Sequence, residues 1–335
     1  MKILWLVALL ACASWSIADG GDAAVPVTVP VPKFQDDFFG EMGRSFATIV
    51  AVDVPAQQLT VDLDRDNSRV IVPIRADTEI HFRDSWGELG DYFPGEHVML
   101  FMYVDDERKW TYPRAVQDDL HVAARHGWFA KVTAIDAAAR TYATMREEKD
   151  GQGKVVKEIR AEYSCSPGVK VWKGATPAAI DALMLGDEVI QQLVRIDGKK
   201  VAVEIVDRAG DKEIAAAQDA KHHADEDRLG LPGYVTDVDV LTGGMTVTVA
   251  WSSAARAKTL KPGQALAIQP GDGAKVFAAA VCDVQAVDSR ARLLLLVNSR
   301  VASRLGYGQL LRLFMPGTGP DLPTGRTGIP ASSKK

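Results

Sequence analysis

The densest group of side chains that could bind a metal lies in residues 221–227, with the sequence KHHADED. On a helix, His222 and Glu226 share one face, and so do His223 and Asp227, because residues four apart are neighbours there. Each pair offers two ligands of types that zinc accepts, but no third ligand is specified. A solvated, charged helix explains the same run, so we predict no bound metal.

Acids at every second position from Asp62 to Asp66 resemble the start of a calcium-binding loop. Such a loop needs glycine at its sixth position and a bidentate Glu at its twelfth, where this chain has Asn67 and Pro73. Leu63 suits the interior of a strand. The segment therefore predicts a strand and no calcium site.

Four histidines lie between residues 80 and 130: His81, His97, His121 and His126. A hydrolytic triad needs a nucleophile on a strained turn beside a positioned base. The sequence has no G-x-S-x-G motif, no phosphate-binding loop and no dinucleotide fingerprint. We predict no catalytic residues and no cofactor. The alternative is a secreted hydrolase that uses His81, His97 and His121.

Charge is distributed unevenly along the chain. The 335 residues include 39 Lys or Arg and 44 Asp or Glu, a net charge of −5 at pH 7. Residues 289–320 carry five arginines and no acid, and these are the candidate anion-binding residues: Arg290, Arg292, Arg300, Arg304 and Arg312. A basic face attracts acidic partners, so we predict an anionic envelope polymer or an acidic protein and not nucleic acid. Two other interpretations stay open: the arginines solvate strand edges, or they dock on this chain's own acidic part.

The N-terminus resembles a secretory signal peptide. Lys2 precedes a short apolar run, and small residues stand three positions and one position before a cut between Ala18 and Asp19. We predict an exported protein, periplasmic, in the cell envelope or extracellular, with no transmembrane helix in the mature chain. A lipoprotein-type leader with a lipid tether on Cys12 is the alternative. Two cysteines follow, Cys165 and Cys282, which we predict to be separate buried thiols.

The composition, 47% hydrophobic and 25% charged, excludes collagen-like and mostly disordered classes. Four segments, beginning at Phe46, Phe129, Val235 and Val281, have an apolar residue at their first, fourth and seventh positions. A turn and an alternating strand follow each of them. Each copy later has a glycine that precedes an acidic or amide residue: Gly95-Glu96, Gly186-Asp187, Gly263-Gln264 and Gly308-Gln309. These features predict repeated small barrels with tight turns.

The predicted fold class is all-β, with tandem small OB-like β-barrels, short helices and one linker helix. A signal peptide (1–18) and a flexible tether (19–42) precede barrel 1 (43–120), barrel 2 (125–208), a helical linker (209–230), barrel 3 (231–316) and a flexible tail (317–335). Barrel 3 is a compact fused repeat pair, and the sequence leaves open whether it forms one barrel or two. Short helices are predicted near residues 85–92 and 176–183, and the linker helix is expected to be exposed.

The pattern of an apolar strand ending in Val-Asp, then Thr-Val, then L-x-x-G-D-x-V resembles a bacterial family of secreted, repeated small β-barrel domains of unknown function. The first copy carries it in Val52-Asp53, Thr60-Val61 and Gly95-Glu96, and the second copy in Ile135-Asp136 and Gly186-Asp187. In the last two copies Gln264 and Gln309 replace the acidic residue. The resemblance implies an OB-like fold and offers no catalytic residues to carry over to this sequence.

These expectations together predict a non-enzymatic, exported binding or structural module of the cell envelope, whose basic third barrel contacts an anionic polymer or acidic partner. Besides the hydrolase, an envelope adaptor is a second alternative. Residues 260–266 are similar to barrel and lipoyl-like modules of adaptor proteins. Those proteins carry a long helical hairpin, which the predicted helix at 211–228 is too short to provide.

Overall fold

The computed structural model describes residues 42–320, apart from residues 76–77, 105–108, 250, 272, 274 and 288–289. The predicted leader, its cleavage site at Ala18 and Asp19, the tether position Cys12 and residues 321–335 of the predicted tail lie outside the described residues. The predicted tether lies outside them too, except for Met42, at which the first strand begins.

The first sheet has seven strands. They are Met42–Asp53 (β1), Gln58–Leu63 (β2), Arg69–Pro73 (β3), Glu79–Phe82 (β4), Ser85–Trp86 (β5), His97–Val104 (β6) and Trp110–Asp118 (β7). Their order is β3-β2-β1-β6-β7-β4-β5, and β4 runs parallel to β7. Along β2, Leu59, Val61 and Leu63 are buried and alternate with less buried residues, because successive side chains of a strand point to opposite faces.

The second sheet has six strands. They are Ala130–Asp136 (β8), Thr141–Lys149 (β9), Val155–Trp172 (β10), Pro177–Ala178 (β11), Glu188–Ile196 (β12) and Lys199–Asp207 (β13). The first half of β10 pairs antiparallel with β9, and its second half pairs parallel with β13. The last strand of the order β9-β8-β12-β13-β10 therefore pairs with the first strand, β9.

The third sheet is a closed barrel of six strands. They are Leu231–Asp239 (β14), Gly244–Val249 (β15), Ala265–Pro270 (β16), Phe277–Val287 (β17), Arg290–Val297 (β18) and Leu310–Phe314 (β19). Their order around the barrel is β14-β15-β18-β17-β16-β19. Residues 231–314 thus form one barrel rather than two, and the predicted all-β, barrel-containing fold class is confirmed.

Four helices accompany the sheets in the described residues: Asp119–Arg125 (α1), Arg208–Leu229 (α2), Trp251–Ala257 (α3) and Ser299–Ala302 (α4). The Asp207 side chain caps α2 by accepting hydrogen bonds from the backbone N–H groups of Ala209 and Gly210. The helix ends at Gly230, whose φ of +80° suits glycine. The predicted linker helix is therefore present over almost the predicted range. None of the described helices is long and apolar enough to cross a membrane.

The linker helix is not exposed as predicted. It contacts strands of all three sheets, among them β5, β13 and β19, and buries a stripe with a spacing of four residues. That stripe consists of Ile214, Gln218, His222 and Glu226. Three of these four side chains are polar, so hydrophobic periodicity gives no signal of the buried face.

Two smaller predictions are also wrong. The segments predicted as short helices begin with the two-residue strands β5 and β11 and continue into single 3₁₀ turns, Leu89–Asp91 and Ile180–Ala182. Cys165 and Cys282 are both free, but only Cys165 is buried. A bulge in β17 between Val281 and Asp283 displaces Cys282 from the ladder and leaves it exposed.

Candidate functional site

A cleft of about 290 Å³ lies between the first and second sheets. Its apolar walls include Phe82, Phe93, Leu120 and Val203. Three carboxyl groups and two cationic side chains also line it: Glu96, Asp118, Glu204, Arg83 and Lys170. Apolar walls with a few converging polar groups are typical of small-molecule sites, and this volume is at the small end of their range.

The turn that carries Glu96 is held by both sheets. Gly95, at φ +91°, donates its N–H to the carbonyl of Ile49 (2.7 Å) and accepts from the N–H of Arg195 (2.8 Å). Glu96 forms an isolated antiparallel bridge with Val194 of β12. The backbone of this turn therefore joins the first sheet to the second and fixes the position of the Glu96 side chain.

The acidic or amide residue after each predicted turn glycine has a common structural role. Its side-chain oxygen accepts a hydrogen bond from the backbone N–H three residues earlier, as the Glu or Gln of a capping box does. The four bonds are Phe93 N to Glu96 (3.2 Å), Met184 N to Asp187 (2.8 Å), Lys261 N to Gln264 (2.7 Å) and Gly306 N to Gln309 (3.1 Å). An amide oxygen satisfies the turn as well as a carboxylate oxygen, which explains why glutamine occurs in the third sheet.

Glu96 differs from Asp187, the acidic residue of the equivalent turn in the second sheet, in the further contacts of its carboxyl group. Asp187 forms an ion pair with Lys173 (3.0 Å), whereas Oε1 of Glu96 has no hydrogen-bond partner among the described residues. The Glu96 residue is 0% exposed. Burial, together with the nearby charge of Asp118, holds the pKa of Glu96 well above its ordinary value. The cleft thus contains a carboxyl group whose hydrogen-bonding capacity is only half used.

Asp118 stands beside Glu96 at the inner end of the cleft, where β7 ends and α1 begins. Its side chain accepts from the backbone N–H of His121 (2.7 Å) and of Arg83 (2.7 Å). It is fully buried, and burial raises its pKa to about 7 although the two N–H donors oppose the shift. Asp118 therefore caps α1 and fixes the β4–β5 turn.

The mouth of the cleft carries the cations. Arg83 and Asp84 form the two-residue turn between β4 and β5 with φ of +50° and +55°, which is unusual for residues other than glycine. The guanidinium of Arg83 reaches Glu204 of β13 (2.6 Å), across the cleft. Lys170 lies 4.0 Å from Glu204, with 54% of its side chain exposed. Arg83 is thus neutralised by Glu204, while Lys170 stays largely in solvent.

The predicted histidines lie near this cleft but do not form a triad. His97 bonds Asp119 through Nδ1 (2.7 Å) and Asp64 through Nε2 (3.1 Å), and both bonds raise its pKa although burial opposes them. The ring of His81 stacks on both Trp86 (4.4 Å) and His121 (4.1 Å). The contacts that the described residues give His97 and His81 are those of packed, structural side chains.

The candidate arginines do not share one face of the third barrel. Arg290 and Arg292 point outward from β18, because Ala291 and Leu293 between and after them are buried. Arg312 lies on β19, three strands from β18 in either direction around the barrel. Arg300 and Arg304 are exposed in and after α4. Strands β18 and β19 follow each other in the sequence but lie on opposite sides of the barrel. The spacing of the arginines in the sequence therefore does not reveal how far apart they lie.

Arg312 contacts Glu88, which follows strand β5 of the first sheet. Its guanidinium holds both oxygens of Glu88, at 3.2 and 3.0 Å, and donates to the carbonyl of Gly230 (3.3 Å). Both side chains of this ion pair are 17% exposed. At this one position the structure favours docking of a basic residue on the chain's own acidic part.

The helix segment considered as a metal site is used for packing. Glu226 lies 3.5 Å from His222 and 3.1 Å from Arg256 of α3. Burial would raise its pKa, but the neighbouring polar groups of His222, Ser253 and Arg256 lower it to about 2. No group of three or more His, Cys, Asp or Glu in the described part of the chain could hold a metal ion.

None of the cleft residues was predicted as a site residue from the sequence. Gly95-Glu96 was visible only as a turn, and Arg83, Asp118, Lys170 and Glu204 belong to no motif. Comparison with protein-family models, with curated proteins and with solved structures finds no match to this chain.

Proposed function

We propose that this protein is a non-enzymatic binding module and that a small molecule occupies the cleft between the first and second sheets. The observation that carries the proposal is the buried carboxyl of Glu96, which lines the cleft with one oxygen unpartnered among the described residues. A buried polar group without a partner costs free energy, and a ligand in the cleft would recover it.

The role remains that of a module of the cell envelope, as the leader-like N-terminus predicts. The non-enzymatic part of the proposal is supported by the contacts of the histidines, since both ring nitrogens of His97 already bind carboxylates. The prediction that the third barrel binds an anionic polymer or an acidic protein stays a prediction. Arg312 contributes little to such a surface, because it already binds Glu88.

The test uses methyl NMR spectra of the full chain. Methyl groups of Leu120 and Val203 report on the cleft, and that of Leu293 reports on the third barrel. We expect a low-molecular-weight extract of the source cells to shift the signals of Leu120 and Val203 and to leave that of Leu293 unchanged.

A variant that fills the cleft provides the control. Ser166 lines the cleft and is half-buried, so Ser166→Trp places an indole where the ligand would lie. The extract should no longer shift the cleft signals in this variant, while the Leu293 signal shows that the fold is intact. If no fraction of the extract shifts the Leu120 and Val203 signals of the unmodified chain, the cleft is not a binding site.

A further inference from the structure

The two ends of the cleft differ in charge. The inner end contains the buried carboxyls of Glu96 and Asp118, and the carboxyl of Asp119 lies close enough to raise the pKa of Glu96. Of the two cations at the mouth, Arg83 is already bound by Glu204 at 2.6 Å. A ligand that enters the cleft therefore meets an excess of carboxyl groups at its inner end.

Resting on the proposed function above, we infer that the cleft binds a small organic cation whose ammonium group donates to Oε1 of Glu96. Anions fit this end poorly, because they cannot form an ion pair with Glu96 and would lie near the carboxyl groups of Asp118 and Asp119. A neutral alcohol can make the same hydrogen bond but gains no ion pair. The apolar walls formed by Phe82, Phe93 and Leu120 favour a cation with a hydrocarbon body, and Phe93 is 40% exposed at the surface.

The volume limits the size of the ligand. At roughly 30 Å³ per water-sized group, a cleft of about 290 Å³ holds on the order of ten non-hydrogen atoms. Benzylammonium, benzyl alcohol and benzoate are a matched set within this limit. They share the aromatic ring and differ only in the group that would face Glu96.

Proton release on binding is an independent sign that an ammonium group contacts Glu96. The titratable and charged groups around Glu96 are Asp118 of β7, Asp119 of α1, Glu204 of β13, the phenol of Tyr92 and the cations Arg83 and Lys170. Burial and the nearby acids together hold the pKa of Glu96 well above its ordinary value. An ammonium group at Oε1 lowers that pKa, so the Glu96 proton passes to the buffer as the ion pair forms. Calorimetry in two buffers with different ionisation enthalpies measures this release.

The Glu96→Gln variant separates the charge from the fold. A glutamine oxygen can accept from Phe93 N, as Gln264 and Gln309 do in their own turns. The uncharged amide also resembles the protonated form of the acid. We therefore expect the variant to fold normally and to lose only the preference for a cation.

The experiment compares the three probes by their effect on the Leu120 and Val203 methyl signals. We expect benzylammonium to bind about tenfold or more tightly than benzyl alcohol, the range of a hydrogen bond to a charged group. Binding should release protons, and Glu96→Gln should abolish both the preference and the release. Lys170→Met, which removes a repelling cation at the mouth, should strengthen benzylammonium binding about twofold.

Each other outcome overturns the inference. If benzoate or benzyl alcohol binds as tightly as benzylammonium, the cleft is a binding site but not for cations, and the proposed function stands. If none of the three probes binds while the cell extract still shifts the cleft signals, the inferred ligand class is wrong and the proposed function again stands. If Glu96→Gln keeps the preference for benzylammonium, Glu96 does not recognise the ammonium group.

Discussion

The ion pair between Glu88 and Arg312 allows a quantitative test of how the third barrel is attached. Its two parallel contacts, at 3.2 and 3.0 Å, are a bidentate arrangement, and both side chains are largely shielded from water. Removing one partner leaves the other partly buried and unpaired. We expect Arg312→Met to lower the free energy of unfolding by about 2–3 kcal/mol and Glu88→Gln by about 1–2 kcal/mol.

The double variant isolates the interaction itself. Because the two single changes remove the same contact, we expect a coupling energy of about 1–2 kcal/mol from the double-mutant cycle. Urea denaturation followed by tryptophan fluorescence measures the four free energies of unfolding. Raising the salt concentration should reduce the coupling only slightly, because shielded pairs are screened less than exposed ones.

An exposed pair in the same molecule is the control. Arg69 and Asp62 make two contacts of almost the same lengths, 2.9 and 3.1 Å, across neighbouring strands β2 and β3, but the Arg69 side chain is 62% exposed. Its coupling energy, from Arg69→Met and Asp62→Asn, should be much smaller than that of Glu88 and Arg312, because water screens the exposed pair. Equal coupling energies for the two pairs, or a value near zero for Glu88 and Arg312, would refute the idea that this contact fixes the barrel.

Three further predictions concern stability. Gly243→Ala places a methyl group 2.2 Å from the carbonyl of Val297 at φ +76°, and we expect it to lower the free energy of unfolding by about 3 kcal/mol. Gly273 has almost the same φ, +75°, but open space around it, so Gly273→Ala should lower the free energy of unfolding by only about 1 kcal/mol. Thermal unfolding distinguishes the two variants, and equal losses would contradict the steric argument. Burial raises the pKa of Asp118 to about 7, so the folded state binds the proton more tightly than the unfolded chain and is stabilised by it. The free energy of unfolding should therefore fall by on the order of 4 kcal/mol from pH 4 to pH 7. Asp118→Asn should remove this pH dependence. The pKa of Glu226 is lowered to about 2, so the stability that it contributes above pH 4.5 should disappear as the pH falls towards 2. In the Glu226→Gln variant the free energy of unfolding should therefore change less with pH in this acid range. An unchanged pH dependence would show that other carboxyl groups control acid unfolding.

Local patterns in the sequence predict the strands well. The alternation of Leu59, Val61 and Leu63 marks the buried face of β2, and the same period appears in Met245, Val247 and Val249 of β15. The linker helix was predictable from its composition and from the glycine that ends it. These features depend only on residues a few positions apart, which is the range that periodicity describes.

The cleft was not predictable, because its parts come from distant segments. Glu96 lies opposite Val194, and Arg83 meets Glu204 from a turn that only the folded chain brings to the second sheet. The buried face of α2 was missed for a different reason. Gln218 and His222 are buried at positions where an apolar residue would have given a signal, and the partners of Gln218, Trp86 and Asp91, lie outside the helix.

The turn at Glu96 has a consequence for how such a site can evolve. The backbone there requires an oxygen acceptor but not a negative charge, since Gln264 and Gln309 satisfy the equivalent turns. Codons for glutamate and glutamine differ by a single nucleotide. One base change can therefore add or remove the carboxyl of the cleft with little effect on folding, so the charge of the cleft can change almost independently of the stability of the turn.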